Sequence, residues 1–146
     1  MKSCAALTAI GLLIVGIGAG PQRDPLQTKS NLDVIDEFVA AFNAHAPAEM
    51  MAFVSDDVRW MSVNGEKIAV ETGDRESLQQ AMTDYFRAMP TVQSATEEAV
   101  ASGRFVSVRE RVFWGPESAR SSQAALAVYE FRGGKIHRVW YFPASR

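Results

Sequence analysis

The sequence predicts an α+β fold in which three helices, gathered at the N-terminal side, pack on one face of a curved, mostly antiparallel sheet. Three observations predict it. Helical periodicity is confined to the stretch between Asn31 and Pro90. Everything after Pro90 reads as strands. Turn dipeptides at Asn64-Gly65, Ser102-Gly103 and Gly133-Gly134 cut the strand-like sequence into hairpins. A chain of 146 residues suffices for one domain with one core.

Residues 1–20 stand apart. Lys2 is their only charge, Ala5 to Ile17 are almost wholly apolar, and small residues follow to Gly20. This pattern predicts a secretory signal and an exported (periplasmic or secreted) protein, with an uncleaved N-terminal anchor as the alternative. Residues 21–30, PQRDPLQTKS, read as a polar linker, and residues 31–146 as the domain. Cys4 is the only cysteine and precedes the apolar run, so the core is expected to hold the fold without disulfides.

The elements of the domain follow in order. Ser30 and Asp33 are spaced as a capping box, and Ile35, Phe38, Val39 and Phe42 form one apolar helix face. Asn43 to Ala46 break that helix. Pro47 suits the start of a short second helix carrying Met50, Met51, Phe53 and Val54, which Ser55-Asp56-Asp57 ends. Val58 to Val63 alternate as a strand and turn at Asn64-Gly65 into Lys67–Glu71. Gly73-Asp74 opens a third helix with Leu78, Met82, Tyr85 and Met89 on one face, closed by Pro90. Strands over 91–101, 104–114, 121–131 and 135–142 complete the sheet.

The stretch VIDEFVAAFNAHAPAEMMAFVSDDVRW, the Gly73-Asp74 helix start and the closing AVYEFRGGKIHRVWYF resemble the nuclear transport factor 2-like superfamily. Within it they are most similar to SnoaL-like and ketosteroid isomerase-like proteins, over roughly residues 32–142. The resemblance implies a cone, with the bent sheet wrapped around three helices and a deep apolar pocket at the open end. It also implies a homodimer through the outer sheet face. The motifs are specific for fold and weak for function, because this fold hosts isomerases, cyclases, hydrolases and plain binding proteins. Laid on this chain, the isomerase base falls on Ser62, its tyrosine donor on Phe38 and its protonated acid on Ala127. None of these side chains supplies the group the isomerase chemistry needs.

The strand pattern offers a different candidate. In Val106–Trp114 the even positions are apolar except Glu110, and the resemblance independently aims them into the cone. A carboxyl among valines has its charged form disfavoured, which makes Glu110 a candidate general acid or base. The alternative is a structural glutamate paired with an arginine or a tyrosine hydroxyl. Ligand contacts are expected from Trp60 and Ser62 on the first strand and from Tyr129, His137 and Tyr141 on the last two. Against this, aromatic residues at period two serve more often as core, and His137 sits near a hairpin end. His45, in the helix break, reads as a cap or loop residue. On the strand carrying Tyr129, Ala125 and Ala127 leave room for a cavity, while Ala124, Leu126 and Val128 make the opposite face apolar. Arg109, Arg111 and Arg138 are expected to pair with Glu97, Glu98 or Glu130.

Several function classes are excluded or unsupported. A net charge of −2 leaves no electrostatic footprint for nucleic acid. Two histidines without a supporting cysteine give no metal spacing, and no phosphate loop, nucleophile elbow or cofactor motif is present. The expected function is an exported pocket protein that binds a small apolar or aromatic molecule without metal or cofactor. Two alternatives stand beside it: an isomerase, cyclase or hydrolase using Glu110, and a protein-interaction module using the sheet face.

Overall fold

The computed structural model describes residues 29–143. The expected signal segment and most of the expected linker lie outside the described residues. Helix α1 spans Asn31–Asn43 and is fixed at its start by the expected capping box, with Ser30 and Asp33 each satisfying the other's backbone N–H. Its buried face is Val34, Ile35, Phe38 and Ala41. The chain then turns through His45 at φ +52, a left-handed conformation that costs a non-glycine residue about 1–2 kcal/mol. The imidazole supports that turn: its Nε2 lies 2.8 Å from the Val92 carbonyl oxygen, and the ring stacks on Phe86.

The second helix is shorter than the sequence suggests. Helix α2 covers Pro47–Met50, and a 3₁₀ turn over Met51–Phe53 follows. Strand β1 then runs Val54–Asn64, so Ser55-Asp56-Asp57 belongs to a strand instead of ending a helix. The reason is tertiary. β1 pairs in parallel with β6 (Lys135–Phe142), and the pairing begins at Val54 opposite Ile136. Local sequence carries no sign of a partner eighty residues away.

Strand β2 (Lys67–Thr72) returns antiparallel to β1, with the turn at Gly65-Glu66, one residue later than predicted. Helix α3 spans Arg75–Ala88, capped by Asp74, whose side chain accepts from the Ser77 N–H at 2.7 Å. Strands β3 (Gln93–Ser102), β4 (Phe105–Trp114) and β5 (Ser121–Arg132) follow, with a 3₁₀ turn over Glu117–Ala119 before β5. Gly133 and Gly134, both at positive φ, make the tight turn from β5 to β6. The sheet order is β2-β1-β6-β5-β4-β3, antiparallel everywhere except at β1–β6.

The core lies between the helices and the inner face of the curved sheet. Val34, Ile35 and Phe38 of α1 join Leu78 and Phe86 of α3, Val106 and Val108 of β4, and Ala127 and Tyr129 of β5. Each fully buried aliphatic side chain contributes roughly 1.5–3 kcal/mol relative to exposure. Asn43 fastens the end of α1 to β3: its Oδ1 accepts from the Ser94 N–H at 2.7 Å, and its Nδ2 donates to the Ser94 carbonyl at 2.8 Å. The outer face carries Glu97 between Arg109 (3.1 Å) and Arg111 (2.5 Å), and Glu130 between Arg104 (3.0 Å) and Arg138 (3.2 Å). Apolar side chains are exposed as well: Ile68, Val70, Val100, Leu126 and Phe142.

Candidate functional site

A cavity of about 230 Å³ opens between α1, α3 and the inner face of the sheet. α1 contributes Phe38, Val39 and Phe42. α3 contributes Met82 and Tyr85, and α2 contributes Met50. β1 supplies Trp60, which stacks on Phe38 (ring centroids 6.1 Å apart, planes at 28°) and meets Tyr129 edge-on at 6.3 Å. Ser94, Glu110, Val112, Tyr129 and Tyr141 come from β3 to β6.

Glu110 is the one acid of this lining, and its residue is 6% exposed. Alternation along β4 points it inward with Val106 and Val108, as the sequence pattern requires. The Tyr129 hydroxyl, itself buried, donates a hydrogen bond to Glu110 Oε1. No other protein group among the described residues hydrogen-bonds the carboxyl, and no cation pairs with it. Burial pushes the Glu110 carboxyl above the usual carboxylate range, and the bond from Tyr129 opposes part of that rise. Burial first, then the Glu110 charge beside it, raises the Tyr129 phenol well above its ordinary value. Tyr141 is pushed up to about 12 by burial, with the charge of Glu110 adding to it. Near neutral pH both phenols therefore keep their protons and act as hydrogen-bond donors.

The structure brings four of the six expected site residues to the cavity: Glu110, Trp60, Tyr129 and Tyr141. Ser62 and His137 do not line it, which corrects their expected place as ligand contacts. The causes differ: Ser62 keeps the face of Trp60 along β1 and is engaged by Glu71, whereas His137 is itself the extra residue of a bulge. In β2 the register skips Glu71 opposite Trp60 and Met61, and the displaced Glu71 carboxylate accepts from Ser62 Oγ at 2.5 Å. In β6 the register skips His137, because Glu130 pairs with Arg138 while Phe131 pairs with Ile136. Ile136 and Val139 take the inward places. His137 instead lies with Nδ1 3.3 Å from Ser55 Oγ and 3.4 Å from Asp57 Oδ1. Serine and aspartate thus meet the same ring nitrogen, and Nε2 faces Arg132, so the group is not a nucleophilic triad.

The residues expected at the isomerase positions offer no such chemistry. Phe38 presents a phenyl ring to the cavity, Ala127 is wholly buried in the core, and the Ser62 hydroxyl is held by Glu71. Phe42, Met50, Met82, Tyr85 and Ser94 line the cavity without having been singled out as contacts. Their signal was present in the apolar faces of the helices, where a cavity wall and a packed core read alike.

A six-stranded curved sheet, three covering helices and an apolar cavity with an inward acid define a member of the nuclear transport factor 2-like class. The SnoaL-like domain family matches residues 35–139, and the chain belongs to that family. No curated protein matches the chain. Among solved structures it is similar to an uncharacterised cystatin-fold protein from Novosphingobium aromaticivorans, at 25% identity and TM-score 0.67, covering 77% of this chain and 97% of that one. It is similar to a SnoaL-like polyketide cyclase from Agrobacterium tumefaciens at 21% identity and TM-score 0.63, covering 77% and 90%. An NTF2-like protein of unknown function from Cytophaga hutchinsonii aligns at 13% identity and TM-score 0.64, covering 82% and 94%. The latter two likenesses establish the fold alone.

Proposed function

We propose that the cavity binds a small, largely apolar molecule and that this binding is the primary function of the domain. The carrying observation is the lining: aromatic and aliphatic side chains from two faces, with the polar groups Ser94, Glu110, Tyr129 and Tyr141 among them. Aromatic walls such as Trp60 over Phe38 suit a flat ligand. A thermal-shift screen against a mixed panel of lipophilic aromatic compounds tests the reading. At least one compound is expected to raise the melting temperature in a dose-dependent way, and to lose that effect when Val39→Trp or Val112→Phe crowds the cavity. A panel without any such compound would overturn it.

A second reading is favoured by Glu110 itself. A buried carboxyl with a raised pKa, hydrogen-bonded on one oxygen and facing a ligand space, is suited to proton transfer in an isomerisation, cyclisation or hydrolysis. In this reading Tyr129 positions the carboxyl and Glu110 moves the proton. Glu110→Gln would then remove turnover while leaving ligand affinity nearly unchanged. The outer sheet face, with Val100, Leu126 and Phe142 exposed, supports self-association. A strict monomer at millimolar concentration in sedimentation would remove that role.

A further inference from the structure

The sheet has two edges, β2 and β3, and the chain covers only one of them. An edge strand presents a row of unpaired backbone N–H and C=O groups unless something takes them up. At β3 that cover comes from α1. Asn43 bonds both the N–H and the carbonyl of Ser94, and Asn31 donates to the Gly103 carbonyl just beyond the strand. Between those points a bulge at Glu97 interrupts the strand. At β2, no hydrogen bond from a side chain or a helix reaches the backbone of Ile68 or Val70 among the described residues. Both of these side chains are more than half exposed.

The hairpin decides which groups of β2 point outward. Its two-residue turn, Gly65-Glu66, makes Asn64 and Lys67 the first hydrogen-bonded pair with β1. Bonded pairs alternate along an antiparallel ladder, so Lys67 and Ala69 direct their N–H and C=O to β1. Ile68 and Val70 direct theirs away from it. A further strand would therefore meet β2 through Ile68 and Val70.

The order of side chains selects the occupant. Lys67-Ile68-Ala69-Val70-Glu71 is self-complementary when two copies run antiparallel about a two-fold axis at Ala69. Ile68 then exchanges both backbone bonds with the partner's Val70, and the two apolar side chains lie directly opposite each other. Lys67 stands opposite the partner's Glu71. A slip of the partner by two residues either way would set Lys67 against the partner's Ala69 or Gly73 and lose that match. The bond from Ser62, which pairs with Ala69, keeps the Glu71 carboxylate on the face that Lys67 and Ala69 share. Neither Lys67 nor Glu71 has an ion-pair partner of its own among the described residues. A lysine on an open edge ordinarily discourages pairing; opposite a glutamate it favours this one register.

We propose that β2 is a self-association edge: two copies of the chain pair antiparallel through Ile68 and Val70, joining their sheets into one, with two Lys67–Glu71 pairs setting the register. This is distinct from face-to-face contact of the outer sheet surfaces, and it does not depend on the cavity. Five paired residues make a small contact, so the association is expected to be weak, with a Kd of about 0.1–1 mM.

Disulfide trapping of the full chain tests it. Ala69 faces the partner's Ala69 as a non-hydrogen-bonded pair, in which Cα atoms lie about 4.5 Å apart, within disulfide reach. With Cys4→Ser removing the native thiol, Ala69→Cys at about 0.1 mM is expected to form a disulfide dimer at least about tenfold faster than Ser118→Cys, an exposed position on the turn before β5. Lys67→Glu should slow the trapping about three- to tenfold, and adding Glu71→Lys should restore it. Val70→Pro removes an outward N–H without touching the β1 ladder, and should bring trapping down to the control rate. Leu126→Glu, on the outer face, should change nothing. Trapping of Ala69→Cys at the control rate overturns the edge pairing. Undiminished trapping with Lys67→Glu overturns the register. Loss of trapping with Leu126→Glu assigns the association to the outer face and overturns the edge instead.

Discussion

Asp57 and Glu110 are two carboxylic acids held by one sheet, and their surroundings push them in opposite directions. Asp57 lies on β1, where the guanidinium of Arg132, from the β5–β6 hairpin end, lies 2.5 Å from its Oδ1. That hydrogen bond, with help from Ser55, holds its pKa down at about 2. Glu110 sits inside the cone, where burial raises its pKa and a neutral tyrosine is its only partner. One acid is satisfied by a charge in water. The other has a single neutral hydrogen-bond partner and is buried beside the cavity. A structural carboxylate resembles the first. The second is the arrangement expected of a group kept for a ligand, since leaving a buried acid incompletely paired costs stability that packing alone could recover.

The comparison is broken or sharpened most strongly at the buried pair. Glu110 has a folded pKa above its unfolded value, so its contribution to stability is fully present below the unfolded pKa and is lost as pH rises through the folded pKa. Glu110→Gln removes that ionisation. Urea denaturation across pH 5 to 8 should therefore show the wild type losing stability relative to the glutamine variant, by at most about 1.4 kcal/mol per pH unit. Tyr129→Phe removes the bond that opposes the rise, so the wild-type inflection should move to higher pH, with a general loss of about 1–3 kcal/mol for the acid left unpaired. Parallel denaturation curves for wild type and Glu110→Gln would mean that Glu110 is no different in kind from Asp57.

The fold was legible in the sequence because its signals are local. The Ser30–Asp33 box, Asp74 before α3, and the glycine turns each act within a few residues, and each sits in the structure within about one residue of its expected place. Glu110 was legible for a related reason: period-two alternation holds unbroken along β4, from Val106 to Val112 against β5. His137 was misplaced where that alternation fails, whereas Ser62 keeps the face of Trp60 and is drawn to Glu71, the extra residue of the neighbouring strand. A bulge shifts every later side chain to the other face, and neither Glu71 nor His137 carries a local mark of being the extra residue. The early start of β1 was hidden likewise, since it depends on parallel pairing with β6. The helical wall of the cavity could be read as apolar, but not as wall, because which apolar residues face the cavity depends on how the helices pack over the sheet and not on local periodicity.

The smallest expected effect lies at Asp57, and its smallness is what the comparison requires. Its folded pKa is lowered, so the stability it contributes is present above the unfolded value of 3.8 and is lost as pH falls towards about 2. The side chains of Asp57 and Arg132 are both more than half exposed, so solvent and salt screen their attraction. Asp57→Asn should therefore cost less stability at pH 7 than Tyr129→Phe does, with the loss shrinking in 1 M salt and vanishing near pH 2. Its sign with pH is opposite to that of Glu110→Gln, and ligand affinity in the cavity should not change, because Asp57 is not part of its lining. A loss at pH 7 that persists in high salt would place the Asp57–Arg132–His137 group among the buried, tightly coupled interactions. The contrast between an exposed clasp and a buried acid with one neutral partner would then fail from its weaker side.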